Sequence, residues 1–445
     1  MSPSSQEGGA GSPADSGKAG GNSGNSGNSG NNSETGSANA ASTSADTPAD
    51  PRAPHGSTAY RRAVIAMFCA GFAAFGQMYA PQGILPDIAR SFGVAADTVS
   101  WVIGAATIGV ALGVLPWAML SDRIGRMQTM RIAIIASLAA SVILPLANSF
   151  GALVALRLLE GIAIAGVPAI AVTLLAESVS PRALGAAVGS FITGNTLGGL
   201  SSRMISATVS DHFGWQLGSL SVTVLAAIVG IIFLVVVQPT KVQPKPVPIL
   251  RGLWLNLRNP GVMIAVLQAF LLMGSFVSVY NYLTFRLQEP PFNMSLMQVS
   301  LIFLTYLAGG VSSRLVWRVV ARSNSTRATI LSMLLVLAGL ALTLLPSLIA
   351  VIAGLTLFTA GFFGGHSLAS TLGPRRSNEA RSVVPPLYNL GAYSGSSLLG
   401  WLGGVFFVWV GWGGTVAMVA TAAVLVALMT WTYAARNGGA RAVDL

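Results

Sequence analysis

Leu120-Ser121-Asp122-Arg123-Ile124-Gly125-Arg126 is a charged knot between two long apolar runs. From Val99 to Met119 the chain carries no charge, and after Arg131 it carries none until Arg157. Uncharged, mainly apolar runs of about 20 residues suit helices that cross a bilayer, so the knot belongs at a membrane surface. There Asp122 can accept hydrogen bonds from helix N-termini, Gly125 permits a sharp turn, and Arg123 and Arg126 can pair with acids or lipid phosphates. An ordinary basic loop would share its charge, but the order Asp-Arg-x-Gly-Arg is more particular.

Composition carries the same message. Hydrophobic residues make up 53% of the 445 and charged residues 9%, against about 25% charged in soluble domains. No soluble fold of this length hides so much apolar surface, and the segments have helix length rather than the short alternation of a barrel. The expected class is therefore an all-α polytopic membrane protein. The single cysteine, Cys69, excludes a disulfide framework, and His55, His212 and His366 are too scattered to suggest a metal site. No phosphate-binding Gly-x-x-x-x-Gly-Lys, His-Glu-x-x-His or nucleophile elbow with a triad occurs, so neither enzyme chemistry nor a cofactor is expected.

Residues 1–58 are rich in Gly, Ser, Asn, Ala and Asp, with Gly-Asn-Ser repeated from Gly21. They lack the apolar groups to offset the entropy of folding and read as a disordered spacer, not as a signal peptide. Twelve spans follow, near 63–85, 99–119, 128–147, 150–175, 183–208, 215–237, 261–285, 296–317, 327–345, 348–372, 383–407 and 412–434. They divide six and six, as bundles over 59–237 and 261–436, with a linker at 238–260 and a second tail at 437–445. In the linker, Trp254 with Leu253, Leu255 and Leu257 suggests a short helix lying on the bilayer.

Orientation follows from the basic residues. Of 25 lysines and arginines, Arg157 and Arg203 fall within spans and only Arg90 and Arg286 lie in loops opposite the 120–126 turn. The other 21 share the side of that turn, the linker and both tails. This bias expects that side, with both termini, to be cytoplasmic in a multi-pass plasma (inner) membrane protein. It also accounts for the net charge of +11 without nucleic acid.

The halves echo each other. Gly194, Gly198 and Gly214-Trp215 recur as Gly391, Gly395 and Gly411-Trp412, all at an offset of 197, and Gly113 has Gly310. A parallel repeat of this kind relates two six-helix bundles about an axis along the membrane normal. With these features the chain resembles transporters of the major facilitator superfamily over about residues 60–436. The loop Leu120 to Arg126 is similar to the signature between helices two and three of that family, and with its place on the basic side Asp122, Arg123, Gly125 and Arg126 are expected to act as a cytoplasmic gate. Arg157-Leu158-Leu159-Glu160-Gly161 resembles the helix-four motif of proton-coupled members. Gly194-Asn195-Thr196-Leu197-Gly198-Gly199 resembles the helix-five antiporter signature, with Asn195 where that signature has Pro. Phe270 to Val277 and Gly361 to Ser367 look like a bacterial branch of drug and sugar exporters. The second-half counterpart of the Asp-Arg loop, Ser312-Ser313-Arg314 through Arg322, keeps arginines but lacks the acid.

Charges inside a membrane are expensive and therefore paired, water-facing or functional. Arg157 and Glu160, three apart on one helix face, are the proton-coupling candidates; the alternative is a permanent ion pair that locks helix four. Gly194, Gly198 and Gly199 read as helix-packing residues, and Asn195 as packing or as a substrate hydrogen bonder. Arg203 either snorkels to the interface or pairs with Asp211. If helices one and seven line a central cavity, as the resemblance implies, Gln77, Tyr280 and Asn281 face it, with Tyr388 and Asn389 on helix eleven. Tyr79 and Tyr282 suit an interfacial aromatic belt as well as a cavity. His366 either titrates near physiological pH or packs as a neutral hydrogen bonder.

The expected function is proton-coupled efflux of a small drug-like or sugar-like solute by a monomeric secondary transporter using alternating access. Its expected partners are that solute, protons and the lipid bilayer. An uptake symporter or facilitator, and a non-transporting sensor of the same fold, are the alternatives.

Overall fold

The computed structural model describes residues 52–237, 249–377 and 380–436. Residues 1–51 of the first tail, 238–248 of the linker and the whole second tail lie outside these residues. Among the described residues, eleven helices are long and apolar enough to cross a membrane. One of them, Pro181–Val236, is 56 residues long, and Gly214 breaks it with φ 83° and ψ 165°. It is two helices meeting at a tight turn, so the chain makes twelve crossings, as expected.

We number them α1 (Thr58–Gly83), α2 (Ala96–Ile124), α3 (Arg126–Leu146), α4 (Phe150–Ser178), α5 (181–213) and α6 (215–236). The second six are α7 (Pro260–Gln288), α8 (Leu296–Arg322), α9 (Ser325–Thr343), α10 (Leu348–Arg375), α11 (Val384–Val410) and α12 (Trp412–Arg436). Side chains start many of them by taking up free N–H groups of the first turn. Ser57 accepts from the Tyr60 N–H at 3.1 Å, Ser149 from Ala152 at 3.2 Å, and Asn324 from Arg327 at 2.8 Å. Ser295 and Gln298 form a reciprocal capping box at α8. Glycine ends others: Gly125, Gly214 and Gly411 have φ of 92°, 83° and 70°, a region that costs other residues strain. Each α-helix alternates direction, so the Gly125 turn marks one membrane face and the Gly214 and Gly411 turns mark the other.

The knot at 120–126 is less of a loop than its charges suggest. Helix α2 runs through Ser121, Asp122 and Arg123 to Ile124, and the break is confined to Gly125. Span one also differs from expectation. Its α-helical part ends at Tyr79 and tightens into a 3₁₀ turn, Ala80–Gly83, before a separate short helix, Leu85–Phe92. The cause is Pro81, which cannot donate to the carbonyl of Gln77. At the other end of α1 the chain is ordered before Thr58: Ala53 pairs with the turn into α5, donating to the Ser178 carbonyl and accepting from Ser180, each at 2.9 Å.

Large apolar side chains such as Leu146, Val235 and Ile349 cover the outside, while hydroxyls, amides and two arginines are buried within. That inversion suits lipid as the solvent. One buried core surrounds Met67, Met78, Ile103, Ile134 and Trp215; a second surrounds Phe276, Tyr280, Phe303, Phe358 and Trp412. The repeat is physical as well as numerical. A Cβ on Gly194 or Gly198 would run into the Phe68 or Phe72 backbone of α1, and one on Gly391 or Gly395 into the Val266 or Phe270 backbone of α7. The α1–α5 and α7–α11 crossings are therefore built alike, by backbone contact at small residues. Gly113 and Gly310 break the parallel. Gly113 packs on Ala165 and Ile162, whereas nothing lies near Gly310.

The described part of the linker, Ile249–Leu257, is helical. Trp254 is exposed with Arg258 over its ring at 4.4 Å, while the buried Asn256 donates to the Ala380 carbonyl at 3.4 Å. One face thus seats the helix on the protein and the other carries an aromatic residue and a cation.

Candidate functional site

Two buried arginines organise the interior. Arg157, on α4, is 1% exposed. Its Nη1 donates to the Gln77 carbonyl at 3.2 Å and its Nη2 to the Met78 carbonyl at 2.6 Å. Those are carbonyls at the end of α1, and Pro81 leaves that of Gln77 without its usual donor. Arg157 Nε donates to the Val102 carbonyl of α2 at 2.9 Å, and Nη1 also pairs with Glu160 Oε2. The guanidinium therefore ties α4 to α1 and α2 while holding the carboxylate beside it.

Glu160, also 1% exposed, is the one acid in the buried class among the described residues. Its Oε1 meets the Ser141 hydroxyl of α3, which also lies 2.6 Å from Gln77 Oε1. The Gln77 amide is oriented by its own N–H groups, which donate to the Ala73 carbonyl at 3.0 Å and to Ser137 Oγ at 3.4 Å. Gln77, expected to face a central cavity, is instead part of this network inside the first six helices.

The second arginine, Arg203 on α5, was expected to snorkel or to pair with Asp211. It does neither, being 3% exposed. Its Nε donates to Gln82 Oε1 at 2.8 Å and its Nη1 to the Gly199 carbonyl. Three rings enclose it: Tyr79 of α1 at 4.8 Å from ring centroid to guanidinium carbon, and Phe303 and Tyr306 of α8 at 5.3 and 5.0 Å. Gln82 passes the contact on, donating to Asn281 Oδ1 of α7 at 2.7 Å. Arg203, Gln82 and Asn281 thus join the two halves of the molecule. The belt reading fails for Tyr79 and Tyr282, which are both buried. Tyr282 instead donates to the Gly400 carbonyl at 2.8 Å.

Further contacts between the halves accompany this one. The Thr107 and Ser397 hydroxyls of α2 and α11 are 2.5 Å apart, and Asp211 Oδ1 accepts from the Leu296 N–H at 3.3 Å. These contacts run from mid-membrane toward the Gly214 face.

Other candidates are distributed more locally. Tyr280 bonds to Thr305 at 2.8 Å and Thr359 at 2.7 Å, inside the second core. His366 Nδ1 is 2.9 Å from the Tyr388 hydroxyl, and its ring stacks on Phe362 at 5.4 Å. It thereby links α10 and α11. Asn389 is half-buried beside Tyr388, and Asn195 is half-buried with its Oδ1 unpartnered against Gly71. Gly194 and Gly198 are at the α1 crossing, and Gly199 accepts from Arg203.

At the Gly125 face, Arg126 binds Asp122 at 2.6 Å and Glu177 of α4 at 3.4 Å, and also reaches Ser121. Arg123 is exposed. The motif clamps α2, α3 and α4 together around Gly125. Among the described residues, no group of His, Cys, Asp and Glu is arranged to hold a metal.

Comparison with known proteins agrees with this architecture. Residues 67–399 match the Major Facilitator Superfamily. The chain is 32% identical over 386 residues to the uncharacterized MFS-type transporter YybF of Bacillus subtilis (strain 168), covering 86% of this chain and 95% of that one. It is 33% identical over 381 residues to the inner membrane transport protein YnfM of Escherichia coli (strain K12), covering 84% and 91%. Among solved structures, an inward-facing, occupied bacterial homolog of the human lysosomal transporter Spinster superposes with a TM-score of 0.70 at 15% identity, covering 85% of this chain and 97% of that one. The nucleoside transporter NupG does so with a TM-score of 0.70 at 12% identity, covering 84% and 99%. With twelve crossings, an internal parallel repeat and a match over most of its length, the chain belongs to the Major Facilitator Superfamily and is a multi-pass membrane transporter, not an enzyme.

Proposed function

We propose that the chain exports a small drug-like or sugar-like solute in exchange for protons, by alternating access. The observation that carries the proton coupling is the Ser141 hydroxyl, which has one proton and two acceptors, Glu160 Oε1 and Gln77 Oε1. Both contacts are satisfied together when Glu160 carries a proton: Glu160 then donates to Ser141, and Ser141 to Gln77. When Glu160 is ionised, Arg157 holds its charge but Ser141 can serve only one of the two oxygens. A site in which each protonation state has its own partners suits a carboxylate that loads and releases a proton as access changes. Export rests on the resemblance of Gly194-Asn195-Thr196-Leu197-Gly198-Gly199 to the helix-five antiporter signature.

The Gly125 face is the cytoplasmic one in this reading, with both termini there and the protein a monomer in the inner membrane. This placement rests on the basic-residue bias and on the relative named as an inner membrane transport protein. Contacts between the halves lie toward the opposite face, so the solute path opens on the cytoplasmic side. The Asp122–Arg126–Glu177 clamp then acts as the inner latch, engaging the second half when that side closes.

Proteoliposomes under an imposed pH gradient, screened with drugs and sugars while internal pH is recorded, test the assignment. Opposed solute and proton flows support it; parallel flows make the chain a symporter, and absence of any flux makes it a sensor. Glu160→Gln is expected to abolish solute-driven proton movement while solute affinity stays within about threefold of wild type, a change of less than about 1 kcal/mol. Proton exchange that persists in this variant removes Glu160 from the carrier role.

A further inference from the structure

We infer that Arg203 is the recognition point for an anionic group, a carboxylate first of all, on a solute with a flat apolar body. The inference rests on the transport reading and adds a substrate class to it. A guanidinium has five N–H donors, and Arg203 uses two of them in protein hydrogen bonds, to Gln82 and Gly199. No carboxylate among the described residues pairs with it: the ion pairs there are Arg90–Asp87, Arg126–Asp122, Arg126–Glu177 and Arg157–Glu160. An arginine kept this deep without a counterion is costly unless it has a use. From Gly214 it lies eleven residues into α5, about 16 Å at the helical rise.

A second observation points to a ligand. Tyr306, whose ring lies over the guanidinium, carries a buried hydroxyl that makes no hydrogen bond, while the Tyr79 hydroxyl is turned to the Ser396 side chain. Buried donors are normally satisfied, so the cage holds a cation with spare N–H groups and one idle phenol. A carboxylate uses both, accepting from a fork of guanidinium N–H groups and from the Tyr306 hydroxyl. Arg157 makes the contrast plain, since its donors are spent on three carbonyls and its charge on Glu160.

The aromatic wall continues away from the cation. Tyr306 meets Phe276 at 5.0 Å, and Phe276 stacks on Phe362 at 4.0 Å. Such a surface suits an aromatic or alicyclic body attached to the anion. The cage draws Arg203 and Tyr79 from one half and Phe303 and Tyr306 from the other, so movement of the halves opens it to the solute and closes it again.

The test is equilibrium binding to the purified full-length chain in nanodiscs, using matched pairs of probes: benzoate, 1-naphthoate and cyclohexanecarboxylate against their uncharged amides. Wild type is expected to prefer the acids by about 10- to 100-fold, the worth of a charge-assisted contact. Arg203→Gln is expected to lose that preference and Arg203→Lys to keep part of it. Tyr306→Phe, which preserves the ring, is expected to weaken acid binding by about three- to tenfold. Equal binding of acids and amides, no binding of any acid, or an acid preference that survives Arg203→Gln overturns the inference. Acid binding that holds while no proton movement accompanies transport defeats the proton-coupling proposal and leaves this one standing.

Discussion

Arg157→Ala is expected to cost about 3–5 kcal/mol, the usual result of removing one partner from a buried ion pair. Three backbone carbonyls, those of Gln77, Met78 and Val102, lose their donor together, and Glu160 is left alone in the core. Thermal unfolding of the purified protein in detergent, with the yield of monodisperse material, reads the effect. Arg157→Met combined with Glu160→Gln is expected to recover much of the loss, because the buried charge goes with its partner and the methionine fills the space. Glu160→Gln alone should be milder than Arg157→Ala, since the guanidinium keeps its three carbonyls. If Arg157→Ala unfolds no more easily than wild type, the guanidinium is not what joins α4 to α1 and α2.

The second large effect concerns the glycine crossings. A Cβ on Gly198 would lie 2.6 Å from the Phe72 Cα, and one on Gly395 lies equally close to the Phe270 Cα. Backbone cannot swing aside as a side chain can, so Gly198→Leu and Gly395→Leu should each reach or exceed the upper end of the about 1–3 kcal/mol typical of overpacking. The repeat makes the pair informative, because both halves should be damaged alike. Gly310→Leu is the control: it is exposed with nothing near it, and the change should stay within about 1 kcal/mol of neutral, the scale of helix propensity. Size-exclusion profiles and melting temperatures of the three variants decide the matter.

Much of this was legible because lipid enforces a simple rule. Uncharged runs of helix length located the twelve crossings to within a few residues, and the scarcity of intramembrane charge picked out Arg157 and Glu160. Gly214-Trp215 and Gly411-Trp412 were legible as a pair repeated at one offset, and their turns came from the structure. What could not be read was tertiary. The partners of Arg203 at Tyr79, Gln82, Phe303 and Tyr306 lie a hundred residues or more away along the chain, whereas reading along one helix offers only Asp211. A signal was nonetheless present: eight residues place Asp211 about 12 Å further along the helix, poorly set for pairing. Tyr79 and Tyr282 looked interfacial because they lie near span ends, but those ends are packed inside the protein. Gln77 shares α1 with Gln82, yet its amide faces Ser137 and Ser141 rather than the other half. The facing of a polar residue depends on neighbours that periodicity does not name.

Of the hydrogen bonds joining the halves, Gln82 to Asn281 and Thr107 to Ser397 pair neutral side chains, each worth about 1 kcal/mol net, while Asp211 accepts one from the Leu296 N–H. In the proposed alternating-access cycle, a junction of so few bonds would hold its conformer with a shallow bias and set the two access states close in free energy. A solute needs only a modest difference in affinity between them to redistribute the population: a hundredfold difference, about 2.7 kcal/mol, reverses a ratio of ten to one. Turnover in this protein is thus compatible with weak binding, because little of the solute's interaction energy is consumed in parting the halves.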